Sequence, residues 1–149
     1  MTVIPPHHPT QTTQEKREDS HFYLWNSTHL TEFAADIFSH YRGQENTTIN
    51  RLGRGTAYLF QYDKLHLVLR HYQRGGLIRH FNRDLYPFTG LSKTRMWQEF
   101  HLLLRMRALG LPVPVPIGAH CQRIGGVFYR GDLITQMIPQ TQTLAQTLQ

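Results

Sequence analysis

Three strand-like runs follow one another closely: Thr48 to Leu52, Ala57 to Tyr62 and Leu65 to Tyr72. Gly53-Arg54-Gly55-Thr56 joins the first two, and Asp63-Lys64 makes a tight turn between the second and third. Such links are too short for a parallel crossover, which needs roughly a dozen residues, so the runs predict an antiparallel meander. The rest of the chain has to arrange itself around that unit. The glycine turn lets backbone N–H groups approach an anion such as a phosphate. The third run, His66-Leu67-Val68-Leu69-Arg70-His71-Tyr72, carries a cation able to pair with it.

Upstream, residues 1 to about 20 are rich in Pro, His, Thr and Gln and offer little to bury, which predicts a mobile tail. His7 and His8 lie in that tail without the further ligands and supporting shell a metal needs. His21 to Asn26 reads as a short apolar strand. Leu30, Phe33, Ala34, Ile37, Phe38 and Tyr41 then recur at helical spacing, with Ser27 or Thr28 as cap and Gly43 as terminator.

Downstream, 74–90 is irregular and basic, with Arg74, Arg79, His80 and Arg83 interleaved with Phe81, Tyr86 and Phe88. Gly75-Gly76 and Pro87 oppose one continuous helix, though Leu77 to Leu85 could form a short one. From Ser92 a long helix is expected, with Met96, Trp97, Phe100, Leu103, Leu104 and Leu109 on its apolar side and Gly110 and Pro112 ending it. Val113 to Pro116 must be extended, because alternating prolines forbid helix. Ile117 to Gln122 and Val127 to Ile138 read as strands turning at Gly125-Gly126, and Thr143 to Gln149 begins a helix.

Composition narrows the functional classes. The chain has 149 residues, enough for one domain, and at 40% hydrophobic and 17% charged it can bury a core. Its formal charge of +6 favours an anionic partner such as a nucleotide, a phosphorylated lipid, nucleic acid or a membrane surface, although many basic proteins are simply soluble. Cys121 is the only cysteine, so no intrachain disulfide can form. No run reaches the length of a membrane span, and Met1 to Gln14 lacks the pattern of a secretory signal.

The order is strand, glycine turn, strand, strand with a cation, helix with an acid (Glu99), two strands. That is the topology of the small lobe of a protein-kinase-like fold, an α+β arrangement of about five antiparallel strands with a packed helix, here preceded by an N-terminal helix and a tail. In such a lobe Gly53, Arg54, Gly55 and Thr56 would cover the nucleotide phosphates, Arg70 would grip one, and Glu99 would orient Arg70. Gln136-Met137-Ile138-Pro139 would be the hinge, with Gln136 and Ile138 offering backbone groups to an adenine edge. Taken one at a time, each feature has a plainer explanation: a hairpin turn, a surface strand arginine, a helix acid in a local pair, an ordinary strand end. Only their joint order favours the nucleotide-binding reading.

The residues also match a known family. The chain resembles the 3-deoxy-D-manno-octulosonic acid (Kdo) kinases of the lipopolysaccharide-core kinase family over roughly residues 20 to 149. The matching stretches are Gly53-Arg54-Gly55-Thr56, Leu69-Arg70-His71-Tyr72-Gln73-Arg74-Gly75-Gly76-Leu77, Arg83-Asp84-Leu85-Tyr86-Pro87-Phe88, Thr94-Arg95, Glu99-Phe100-His101-Leu102-Leu103, Gly110-Leu111-Pro112-Val113-Pro114-Val115-Pro116 and Asp132-Leu133-Ile134-Thr135. The resemblance implies ATP-dependent phosphorylation of the 4-hydroxyl of Kdo on a lipid A precursor, with Mg²⁺, at the cytoplasmic face of the bacterial inner membrane as a peripheral protein. Arg70 is then the strand cation and Glu99 its helix partner. The basic residues Arg74, Arg79 and Arg83 would suit an anionic sugar-lipid or the membrane surface, or form a solvated loop.

The match departs from the family at its end. Asp132 is the last acid, and nothing after Ile138 is Asp, Asn or His. The catalytic Asp and the magnesium ligands that phosphoryl transfer requires are therefore expected beyond Gln149. This divides the chain into a tail (1–20), a small lobe (21–138) and the start of a linker or helix (139–149) toward a large lobe. Two other readings stay open: a small-lobe remnant acting as a non-catalytic binding module, and a nucleic-acid-binding domain built on the basic 74–83 patch. No ordered set of stacking positions supports the second, so no nucleic-acid partner is expected.

Overall fold

The computed structural model describes residues 12–39, 48–52, 55–72 and 85–137. These form one antiparallel sheet with a single α-helix on one face. The strands are β1 (Thr13–Glu18), β2 (His21–Asn26), β3 (Thr48–Leu52), β4 (Gly55–Tyr62), β5 (Leu65–His71), β6 (Tyr86–Pro87), β7 (Pro116–Ile124) and β8 (Phe128–Gln136); the helix is α1 (Arg95–Ala108). The spatial order is β1-β2-β7-β8-β5-β4-β3, and the short β6 pairs with the start of β8. Every pairing is antiparallel.

The turns follow from local chemistry. Tyr62 pairs with Leu65 across Asp63-Lys64, and Glu18 pairs with His21 across Asp19-Ser20. Asp63 and Asp19 both take positive φ, 54° and 53°, a conformation that a short polar side chain tolerates. The β7–β8 hairpin turns at Gly125 and Gly126, with φ of 60° and 79°. The expected meander of β3, β4 and β5 is present, and its first link narrows to Gly53-Arg54 because Leu52 pairs directly with Gly55.

Strand alternation gives the sheet two apolar faces. One carries Leu24, Ala119, Cys121, Tyr129 and Leu133 and packs against Met96, Trp97, Phe100 and Leu103 of α1. The other carries Tyr23, Trp25, Phe60, Leu67, Leu69, Ile117 and Ile134 and packs against Leu30, Ile37 and Phe38. Cys121 is fully buried, and burial pushes its thiol pKa up to about 12, which makes it an inert core residue.

Two sequence expectations give way here. Residues 13–18 are not tail: they form β1, the edge strand, in full register with β2. Their polar composition suits an exposed sheet edge, where backbone pairing and not side-chain burial holds the strand. The helix expected over Leu30 to Tyr41 is, among the described residues, only a 3-10 turn at Ala35–Phe38, and Ala34 before it is extended. The apolar residues are anchored one by one. Phe33 stacks on Trp25 at 4.3 Å, and Phe38 sits over Gly118, where a Cβ would lie 3.2 Å from its ring. Buried Asn26 fastens the start of the segment by donating to the Pro116 carbonyl at 3.0 Å and accepting from the Thr28 N–H at 3.1 Å. Helical spacing in the sequence thus reported burial against the sheet without a helical backbone. The possible helices at Leu77 to Leu85 and Thr143 to Gln149 lie outside the described residues.

Candidate functional site

Arg70 lies near the middle of the sheet, opposite Ala57 of β4 and Leu133 of β8. Its strand neighbours Leu69 and Leu67 point to the face away from α1, so alternation sends Arg70 and Tyr72 to the α1 face. The helix meets them because Met96, Phe100 and Leu103 bury one stripe on the sheet. Glu99, one turn after Met96, then falls on the flank toward β5.

Several contacts fix the helix in that place. The Arg95 N–H donates to the Tyr129 hydroxyl at 3.2 Å. The Trp97 indole N–H donates to Glu15 on β1 at 3.3 Å. At the C-terminus Gly110, with φ of 81°, lets its own N–H bond the Arg107 carbonyl and the Leu111 N–H bond the Met106 carbonyl, a Schellman ending.

The guanidinium of Arg70 donates through Nη2 to Oε1 of Glu99. The Tyr72 hydroxyl donates to the other oxygen, Oε2, and the Arg70 cation lies 6.0 Å from the Tyr72 ring centre. Burial, reinforced by the hydrogen bond to Glu99, raises the Tyr72 pKa well above the usual phenol value, so the hydroxyl keeps its proton and remains a donor. The Arg70 side chain is 46% exposed and that of Glu99 31%. A pair this open adds only about 0.2–1 kcal/mol to stability. The pair therefore contributes little to holding the fold together.

A second polar cluster lies on the opposite face. Asp132 of β8 accepts from His71 of β5 at 2.7 Å and contacts His120 of β7 at 3.1 Å. The far nitrogen of His120 contacts His21 of β2 at 2.8 Å. Burial alone would push the Asp132 carboxyl up, but the hydrogen bonds and charges of His120 and His71 outweigh it and hold the pKa below the usual value. Burial, and then the neighbouring His120, lower the pKa of His21. Sequence reasoning missed this row and also missed Tyr72. The signal was the two-residue period: His71 shares a face with Leu67 and Leu69, and Asp132 with Ile134.

Of the other predicted site residues, Gly53, Arg54, Ile138, Arg74, Arg79 and Arg83 lie outside the described residues. Gly55 and Thr56 open β4, where Thr56 pairs with His71. Gln136 ends β8, but its N–H donates to the Val115 carbonyl and that of Met137 to the His66 carbonyl, both at 2.9 Å. These two N–H groups are therefore engaged within the sheet, which leaves the Gln136 carbonyl and Ile138 as the backbone groups expected at an adenine edge. Among the described residues no group of three or more His, Cys, Asp or Glu side chains is arranged to hold a metal ion. No helix among them is long and apolar enough to cross a membrane.

The lipopolysaccharide kinase (Kdo/WaaP) family matches residues 39–149. The chain is 39% identical over 137 residues to a 3-deoxy-D-manno-octulosonic acid kinase of Mannheimia succiniciproducens, covering 89% of this chain and 57% of the relative. It is 37% identical over 142 residues to one from Haemophilus influenzae (strain PittEE), covering 91% of this chain and 59% of the relative. It is 40% identical over 110 residues to one from Vibrio vulnificus (strain YJ016), covering 74% of this chain and 46% of the relative. The chain thus spans roughly half to three-fifths of the length of these curated relatives. No solved structure matches it. With the strand cation and the helix acid joined as a kinase-like small lobe requires, and with a family match over most of its length, the chain belongs to the lipopolysaccharide kinase (Kdo/WaaP) family.

Proposed function

We propose that this chain forms the nucleotide-gripping lobe of a kinase that transfers phosphate from ATP to the 4-hydroxyl of Kdo on a lipid A precursor. The observation that carries the reading is the Arg70–Glu99 pair across β5 and α1, in a chain whose relatives are named 3-deoxy-D-manno-octulosonic acid kinases. Arg70 would hold an ATP phosphate through its planar fork of N–H donors, and Glu99 would keep that fork aimed. Gly53, Arg54, Gly55 and Thr56 would close over the phosphates with backbone amides, and the Gln136 carbonyl and Ile138 would meet the adenine edge. Magnesium would neutralise charge on the transferred phosphoryl group; the described residues offer no site for it, so its ligands are assigned to none of them.

Arg74, Arg79 and Arg83 would face the anionic sugar-lipid or the cytoplasmic face of the inner membrane, where a basic segment gains about 1 kcal/mol per cation. The test is transfer of labelled phosphate from ATP to Kdo–lipid A precursor by the protein expressed from its intact reading frame. Transfer that falls roughly a hundredfold in Arg70→Ala is the expected result, on the scale of losing a phosphate clamp. Transfer undiminished in that variant would overturn the assignment of Arg70.

A further inference from the structure

The two oxygens of Glu99 are divided between two donors. Oε1 takes Nη2 of Arg70, and Oε2 takes the Tyr72 hydroxyl. An unrestrained arginine–carboxylate pair prefers to close as a fork on a fork, with two parallel N–H···O bonds. Here the second oxygen is already occupied. Arg70 makes one hydrogen bond to the acid, and among the described residues its other N–H groups donate to no side chain or carbonyl. Arginine has five N–H donors in a rigid plane, so a singly tied guanidinium retains a whole edge for another anion.

We propose that Tyr72 is a positioning residue of the phosphate grip: its hydroxyl occupies one oxygen of Glu99, ties Arg70 by a single nitrogen and leaves the remaining guanidinium edge for phosphate. The inference rests on the nucleotide reading of Arg70 given above. Tyr72 is well built for the task. Its backbone N–H donates to the Gly131 carbonyl at 3.0 Å, which continues the β5–β8 pairing beyond His71 and fixes the ring. The ring packs, partly buried, against the cluster that includes Tyr86, Met96 and Phe100, which restrains the hydroxyl beside Glu99. A lysine at this position would have no edge to protect, because an ammonium is a point donor. The hydroxyl therefore matters because the strand cation is arginine.

The experiment compares ATP affinity by isothermal titration calorimetry for wild type, Arg70→Ala, Tyr72→Phe, Arg70→Lys and Arg70→Lys with Tyr72→Phe, each in the protein expressed from its intact reading frame. Tyr72→Phe removes one atom, and a thermal scan checks that each variant is folded. The expected result is roughly tenfold weaker ATP binding in Tyr72→Phe, the scale of one hydrogen bond to a charged group, with the KM for the sugar-lipid acceptor unchanged. In the Arg70→Lys background the same change should alter ATP affinity by less than about twofold, since no bidentate closure is possible. Equal losses in both backgrounds, or loss of acceptor and ATP binding together, would show Tyr72 to be structural and overturn the inference. Wild-type affinity in Tyr72→Phe with weakened binding in Arg70→Ala would overturn it while leaving the nucleotide reading intact. Unchanged affinity in Arg70→Ala would remove both.

Discussion

Gly131→Ala should loosen the seat of α1 and, through it, the proposed nucleotide grip. Gly131 lies on β8 opposite Cys121 of β7. A Cβ added there would lie 2.0 Å from Cε and 3.0 Å from Sδ of Met96, and 2.5 Å from the His120 carbonyl oxygen. The methionine end is flexible, but Met96 is fully buried beside Phe100 and has no open space to enter. The carbonyl belongs to the β7–β8 ladder and moves only if the ladder widens. Overpacking of this kind costs about 1–3 kcal/mol, a fall in Tm of roughly 3–12 °C for a chain of this size. Glu99 stands one turn from Met96, so displacing the helix also draws the carboxylate away from Arg70 and Tyr72. Thermal unfolding followed by far-UV dichroism and by tryptophan fluorescence reads the first effect, and ATP titration reads the second. Adding Met96→Ala should recover only part of the loss, because the His120 carbonyl contact remains. A Gly131→Ala protein with wild-type Tm and wild-type ATP affinity would refute the seating of α1 on β8.

His21, His29 and Asp132 make stability pH-dependent. His21 has a folded pKa below its ordinary 6.5, so its contribution is complete above that value and lost as pH falls through the folded pKa. Asp132, held below its ordinary 3.8, contributes above that value and loses its contribution at still lower pH. His29, lowered by burial and by Arg107, has the same sign as His21. The urea midpoint should therefore fall between about pH 7.5 and about pH 5.5, and His21→Gln should flatten that slope; a slope unchanged by the substitution would contradict the role of His21. Asp132→Asn should cost about 1.5–3 kcal/mol at neutral pH, the scale of a charge-assisted hydrogen bond, measured by urea unfolding.

Legibility in the sequence followed how local each determinant is. The meander was readable because two short links leave only antiparallel pairing, and Asp63 and the Gly125-Gly126 pair mark their own turns. The helix carrying Glu99 was readable from its apolar stripe and from Gly110 as its end, although a separate 3-10 turn at Leu91–Lys93 precedes Arg95. The meeting of Arg70 with Glu99 was legible only as an order of elements, since 29 positions separate them. What escaped depends on long-range pairing. β1 is exposed at five of its six residues and is a strand only because β2 lies beside it. Phe33 and Phe38 mimic a helical stripe while draping over Trp25 and Gly118. Tyr72 and the histidine row become visible only once register sets β5 beside β8 and β8 beside β7.

Arg70, held by Glu99, is proposed to grip a nucleotide phosphate. The most direct test of that role is an NMR titration with a non-hydrolysable ATP analogue, following the side-chain N–H signals of Arg70 and the backbone amides of Gly55, Thr56 and Ile138. Saturable shifts are expected at Arg70 and at the two β4 amides with one common affinity, abolished in Glu99→Ala. Saturable binding that leaves the Arg70 signals unmoved would contradict that role.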